Sequence, residues 1–286
     1  STPLASWVNP AAEAERKRFA EAEKDFAAHC EAETGMGVSP EEWARQKGER
    51  SELRRQSHLI AHKLESAGTV AYRADNFQLW IWHVHSLEAE SIPNFRRICF
   101  IPWVAAQVRA AKLAALEYFI QRHPFCRFWT FTSGERVGLD GLRGRVEELH
   151  ARLNRLNKQL RKRYGVELVF RSTELGTVEF GADLRAQADP GSVEFDAEGR
   201  PLFHPHAHCV VHSLRGFIPP KKWDAMVRWV WSHWGNHWDA GAIIGNAREA
   251  CKYVTKPGDM LKLDPAHLAA VEAALHGLRL VSPLGK

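Results

Sequence analysis

The stretch Phe203-His204-Pro205-His206-Ala207-His208-Cys209-Val210-Val211-His212 decides how the chain is read. It is short, apolar towards its end and preceded by a polar, Gly-punctuated connection, so it reads as a β-strand. Side chains alternate across a strand, which puts His206 and His208 on one face and the small Ala207 on the other. Two imidazoles about 6.5–7 Å apart along a strand can converge on one divalent cation. Imidazole nitrogen suits Zn, Mn, Fe, Co and Ni, and a carboxylate beside it admits Mg. His204 has the same parity, but Pro205 leaves the start of the strand open. The plainer alternative is a pair of satisfied core histidines. His83-Val84-His85 has the same local pattern, so context must decide between them.

Outward from this strand, Arg127-Phe128-Trp129-Thr130-Phe131-Thr132 is a second strand, closed by Ser133-Gly134. Leu142, Val146, Leu149, Leu153, Leu156 and Leu160 recur at steps of three and four. They form one apolar stripe on a helix of about six turns. Its other face carries Arg145, Arg152, Arg155, Lys158, Arg161, Lys162 and Arg163. Val166 begins a strand that is expected to run to about Phe180. Pro219-Pro220 opens a Trp-rich helix, and Ala240–Ile244 is a short strand. Residues 248–256 read as a helix stopped by Pro257-Gly258, and Pro265–Leu275 as the last helix. From residue 125 the order β-α-β-β-α-β-α-α predicts an α+β fold, a central antiparallel sheet with helices on one face.

The first 122 residues read as a mainly helical N-terminal region, ahead of a second domain over 123–286. Glu13–Phe26 is rich in helix formers, and Ser39-Pro40-Glu41-Glu42 is a helix start. Residues 78–85 have strand character, and Val104–Gln121 reads as an apolar helix stopped at His123-Pro124.

Composition narrows the function classes. The 286 residues carry a net charge of +5, are 45% hydrophobic and include 11 Trp. That excludes global disorder, and the mild basicity permits a nucleic-acid partner without demanding one. The five cysteines are scattered, with no C-x-x-C spacing, which argues against a disulfide framework. There is no charged-then-apolar leader and no apolar run approaching about 18 residues, so no membrane association and a cytoplasmic location are expected.

A second constellation is Glu249-Ala250-Cys251-Lys252-Tyr253-Val254-Thr255-Lys256. On a helix Glu249, Tyr253 and Lys256 share one face, flanked by Lys252. A carboxylate, a phenol and two ammonium groups make a poor packing face. They suit phosphate chemistry, because lysines favour the phenolate and neutralise phosphate oxygens. A solvated helix face is the alternative.

In order and spacing, the Phe-Trp-Thr-Phe-Thr strand, His206-Ala207-His208 and Lys252-Tyr253-Val-Thr-Lys256 together resemble the HUH endonucleases. Within that superfamily they are most similar to the replication initiators of rolling-circle plasmids. Glu249, four residues before Tyr253, resembles the group with one tyrosine and a catalytic glutamate, and Gly277–Gly285 resembles the family's closing segment. The resemblance covers roughly residues 125–285. It implies an HUH, RRM-like palm and metal-dependent nicking and strand transfer on single-stranded DNA through a 5′-phosphotyrosine. His206 and His208 would hold Mg or Mn, with a third ligand from the neighbouring strand. Glu174 and Glu179 have opposite parity there, and Glu174 is favoured because it sits where the family's strand carries an acid. Tyr253 would be the nucleophile, Glu249 would activate water in the terminating step, and Lys252 and Lys256 would position phosphates. Implied partners are single-stranded DNA or an origin hairpin, and a host helicase and polymerase.

Arg152, Arg155, Arg161, Lys221 and Lys222 are candidate DNA contacts. Trp129, Trp223, Trp229, Trp231, Trp234 and Trp238 are expected mostly in the core, with a minority free to stack on bases. The chain departs from the family upstream, where a cysteine-rich, zinc-binding stretch is common and Cys99 alone remains; a residual site would use His83, His85 and Cys99. Three other readings stay open: a single-tyrosine transposase, a non-catalytic DNA-binding protein of the same fold, and a metal hydrolase without a DNA role. No second tyrosine lies near Tyr253, the other three being Tyr72, Tyr118 and Tyr164.

Overall fold

The computed structural model describes residues 40–73, 78–83, 88–176, 193–243, 247 and 257–284. The chain divides into two compact units, one of residues 1–55 and 76–94, the other of 56–75 and 95–286. The first unit contains an antiparallel hairpin of β1 (Gln78–His83) and β2 (Glu88–Pro93). Helix α1 spans Pro40–Ser66, and Ser39, expected as its N-cap, lies outside the described residues. Among the described residues no helix is long and apolar enough to cross a membrane.

The second unit is built on a five-stranded sheet. Its strands are β3 (Arg127–Thr132), β4 (Val166–Glu174), β7 (His206–Ser213), β8 (Trp238–Ile243) and β9 (Val281–Pro283). The order is β8-β3-β7-β4-β9, and every neighbouring pair is antiparallel. Two short strands, β5 (Glu194–Phe195) and β6 (Pro201–Leu202), form a separate hairpin. The strand expected to run to Phe180 ends at Glu174, and residues 177–192 lie outside the described residues.

One face of the sheet is covered by α3 (Leu139–Tyr164) and α4 (Pro220–Trp234). Trp129, Phe131, Leu168, Ala207, Cys209 and Val211 of the strands join Leu149, Leu153, Leu156 and Leu160 of α3 and Met226, Val230 and Trp234 of α4. The stripe read from spacing is therefore the buried side of α3, and all six of its members are buried. The helix stops at Gly165, whose φ of 65° is left-handed and suits glycine. Leu142 and Val146, nearer the start of α3, pack in a different cluster. It includes Ile60 and Leu64 of α1, Met260 of α5 (Pro257–Lys262), and Leu268 and Val271 of α6 (Pro265–Leu275). Pro257 begins α5, as a residue with no N–H to donate readily does at a first helical position.

The other face is not bare, contrary to the expectation of helices on one side. Helix α2 (Pro102–Arg122) places Leu113, Leu116, Phe119 and Ile120 in a cluster with Phe128, Phe170 and Val210. Its polar residues Gln107, Arg109, Lys112, Glu117, Gln121 and Arg122 are spread round the helix, so its spacing carried no sign of which surface it would cover.

A bulge in β4 sorts the two faces. Val166 and Leu168 belong to the cluster under α3, opposite Ser213 and Val211 of β7. The register then slips at Val169, and Phe170 pairs with Val210 in the cluster under α2. The extra residue inverts the facing of everything after it. Ser172 and Glu174 thus face the same side as their partners His208 and His206. A regular strand would have sent Glu174 into the hydrophobic core beneath α3.

Asn157 on α3 holds this bulge. Its side-chain amide donates to the Leu168 carbonyl at 3.1 Å, and its carbonyl oxygen accepts from the Leu168 N–H at 2.8 Å. Asn157 is 8% exposed, so no water replaces it easily. Asn157→Leu is expected to destabilise the chain by about 2–4 kcal/mol, because two backbone groups lose their partners where they remain buried. Urea unfolding measures this, and a change below the usual surface scatter of about 0.5 kcal/mol would refute the anchoring role.

Candidate metal centre

The site is built where the central strand β7 meets β4. Glu174, His206 and His208 offer ligand atoms that all lie within 4.8 Å of one another. The Nε2 of His206 is 3.5 Å from one oxygen of Glu174, and the Nε2 of His208 is 3.5 Å from the other. Both distances exceed a hydrogen bond. They approach the edges of about 3.0–3.5 Å expected between ligands that each bind one cation at about 2.0–2.2 Å. The rings of the two histidines stand nearly perpendicular, 80° apart. His206 is buried, and Glu174 and His208 keep partial exposure, so the cluster opens towards solvent from a fixed base.

The remaining nitrogens orient the rings. His206 Nδ1 lies 3.2 Å from the His204 carbonyl, which can only accept, so Nδ1 donates there and Nε2 is the nitrogen turned to Glu174. His208 Nδ1 lies 2.9 Å from the Thr130 hydroxyl, and the ring stacks on Phe128 at 5.0 Å. Both Nε2 atoms are thereby aimed at a carboxylate. With neutral rings, two imidazole nitrogens facing one carboxylate form a donor set that fits a divalent ion. The group therefore suits a metal; two nitrogens and a carboxylate do not identify which one. Among the described residues it is the one such cluster.

His204 does not join it. The ring hydrogen-bonds through Nε2 to the Gly134 carbonyl at 2.8 Å. Burial, and then the neighbouring His206, hold its pKa below the usual histidine value.

Thr130 and Phe128 were missed as site residues in the sequence. They sit on the strand read as an apolar core strand, and only the pairing of Thr130 with His208 reveals their role. Thr130→Val keeps the shape and removes the hydroxyl. It is expected to weaken metal binding roughly 10–100-fold with the fold intact, as loss of a ligand's orienting partner does. A Mn titration by calorimetry reads this; an unchanged isotherm would remove Thr130 from the site.

The second constellation, Glu249, Lys252, Tyr253 and Lys256, lies outside the described residues, as do His85 and Glu179. Ala247, two residues before Glu249, is buried with Phe170, Val210 and Leu116, on the face that carries the two histidines. Cys99 has its thiol pushed up to about 12 by burial, which disfavours the thiolate that zinc needs.

The candidate DNA contacts are not gathered around the metal ligands. Arg152, Arg155 and Arg161 belong to α3, and Lys221 and Lys222 to the first turn of α4. Both helices cover the face opposite His206 and His208. The Arg152 guanidinium lies 4.1 Å from the centroid of the Trp234 ring, and Arg161 pairs with Glu167 at 3.3 Å. Arg155, Lys221 and Lys222 are exposed. Among the tryptophans, Trp129, Trp234 and Trp238 are buried, Trp223 and Trp229 pack half-buried against the same core, and Trp231 is exposed.

Compared with protein-family models, curated proteins and solved structures, the chain matches none.

Proposed function

We propose that this chain is a metal-dependent endonuclease and strand transferase of the HUH type, acting on single-stranded DNA in rolling-circle replication. The observation that carries the reading is the convergence of Glu174, His206 and His208 on neighbouring strands of an antiparallel sheet. The order of those residues before Glu249, Lys252, Tyr253 and Lys256 in the sequence supports it. The five-stranded sheet flanked by helices suits an HUH palm, and Ala247, two residues ahead of Glu249 in sequence, is itself buried on the histidine-bearing face.

A Mg or Mn ion held by the three ligands would draw electron density from the scissile phosphate. Tyr253 attacks the phosphorus through its phenolate. A Tyr O–P bond forms, the P–O3′ bond breaks, and the departing 3′ oxygen takes up a proton. The downstream 5′ phosphate stays on the protein, and the free 3′-OH is left for a polymerase. Lys252 and Lys256 neutralise phosphate oxygens, and Glu249 takes a proton from the water of the terminating cleavage. A host helicase and polymerase in the cytoplasm would act on the product.

The test is a single-stranded oligonucleotide carrying the origin and labelled at its 3′ end, incubated with Mn or Mg. A labelled protein band that survives denaturing electrophoresis is expected. A metal-independent band, or cleavage that leaves no label on the protein, would refute the reading and favour a plain metal hydrolase.

A further inference from the structure

We propose that the end of the sheet remote from Glu174, His206 and His208 is a stacking and phosphate-binding platform for single-stranded nucleic acid. This rests on the function proposed above and gives the strand a second point of attachment. Because β3 and β7 are antiparallel neighbours, with Arg127 opposite Val211, the loop entering β3 and the loop leaving β7 meet at one edge. There Phe125 and Phe217 touch edge to face, with ring centroids 6.0 Å apart. They are 49% and 65% exposed, and Leu214, three residues before Phe217, is 49% exposed. On the adjoining end of α2, Tyr118 is 59% exposed, and the Arg122 guanidinium lies 3.8 Å from its ring centroid. Scattered single exposed apolar residues are ordinary, but two exposed phenylalanines in contact at one edge mark a contact surface.

Charge selects the partner. Residues 122–127 and 214–224 hold five cationic side chains, Arg122, Arg127, Arg215, Lys221 and Lys222, and one carboxylate, Asp224. Among the described residues neither lysine is in an ion pair, and both are exposed at the start of α4. Open aromatic faces carried on two segments rich in cations suit unpaired bases joined by phosphates, since every base has a face to stack. A duplex hides those faces. From His208 to Ser213 the strand β7 spans about 17 Å at about 3.4 Å per residue, so the platform is separate from the metal cluster.

The experiment is fluorescence anisotropy of the full chain with a labelled oligothymidylate of about 20 nucleotides, in EDTA so that no cleavage intervenes. Phe125→Ala/Phe217→Ala is expected to raise Kd roughly tenfold or more, with the salt dependence unchanged. Lys221→Gln/Lys222→Gln is expected to reduce the salt slope by about 1.4, or about 0.7 for each phosphate contact. Both variants should melt with the unsubstituted chain, since the changed side chains are exposed, and Phe217→Ala alone serves if the double variant does not. Unchanged affinity in the aromatic variants, or equal loss on duplex and single strand, would overturn the platform and point to a protein partner for this edge. The two proposals fail separately. Adduct formation with no effect of these variants would sink the platform alone. Their effect in a chain that forms no adduct would sink the nuclease reading alone.

Discussion

The His206→Ala/His208→Ala double variant is expected to lose its response to metal entirely. The two Nε2 atoms face the Glu174 oxygens at 3.5 Å, so removing both imidazoles leaves one carboxylate, which does not hold a divalent ion on its own. A ligand that binds only the folded state stabilises it by about 2.7 kcal/mol at a hundred times its Kd. In a chain of this size that corresponds to a rise in Tm of about 4–5 °C. The unsubstituted chain should show this rise with Mn, and the double variant none. The variant should also lose all metal-dependent cleavage. Its own fold should survive, because Ala is compatible with a strand that already carries Ala207 between the two positions. A metal-induced shift of the same size in the variant would move the metal site elsewhere.

Tyr253→Phe is expected to abolish the covalent adduct, with a drop of at least about 10³-fold in strand cleavage, while leaving metal affinity and DNA binding as they were. In the proposed mechanism the phenolic oxygen is the atom that becomes bonded to phosphorus, and phenylalanine has nothing to replace it. Denaturing electrophoresis with a 3′-labelled strand reads the adduct, and calorimetry reads the metal. An adduct that persists in the Phe variant would place the nucleophile on another residue. Tyr72, Tyr118 and Tyr164 would then be the candidates, and sequencing the DNA-linked peptide would choose among them.

Much of the second unit was legible from local pattern. The Leu142–Leu160 stripe specified α3 because a helix shows one face per 3.6 residues, and all six apolar positions are buried. The strands at 127–132 and 206–213 showed themselves by length, β-branched and aromatic content and bounding turn residues. The facing of His206 and His208 followed from strand alternation, since they are neighbours on one strand with no bulge between them.

Contacts over long sequence distances were not legible. Strand β9 is three residues long and gains its partner Phe170 from more than a hundred residues away. Helix α2 has its polar residues spread round it, and its docking over Phe128, Phe170 and Val210 depends on the surface of a sheet formed by other segments. The edge that brings Phe125 to Phe217 depends on the pairing of β3 with β7.

Glu174 shows where the two kinds of information divide. By itself the sequence determined that an acid follows the strand begun at Val166 and that two histidines share one face of a later strand. It also determined that a tyrosine set among lysines comes after both. Parity counted from Leu168 would have turned Glu174 towards α3. The bulge at Val169, with the Leu168 backbone held by Asn157 from a different element, turns it to the histidines instead. A strand's facing repeats every two residues, so one inserted residue reverses it, and only packing against α3 and pairing with β7 set where that residue falls.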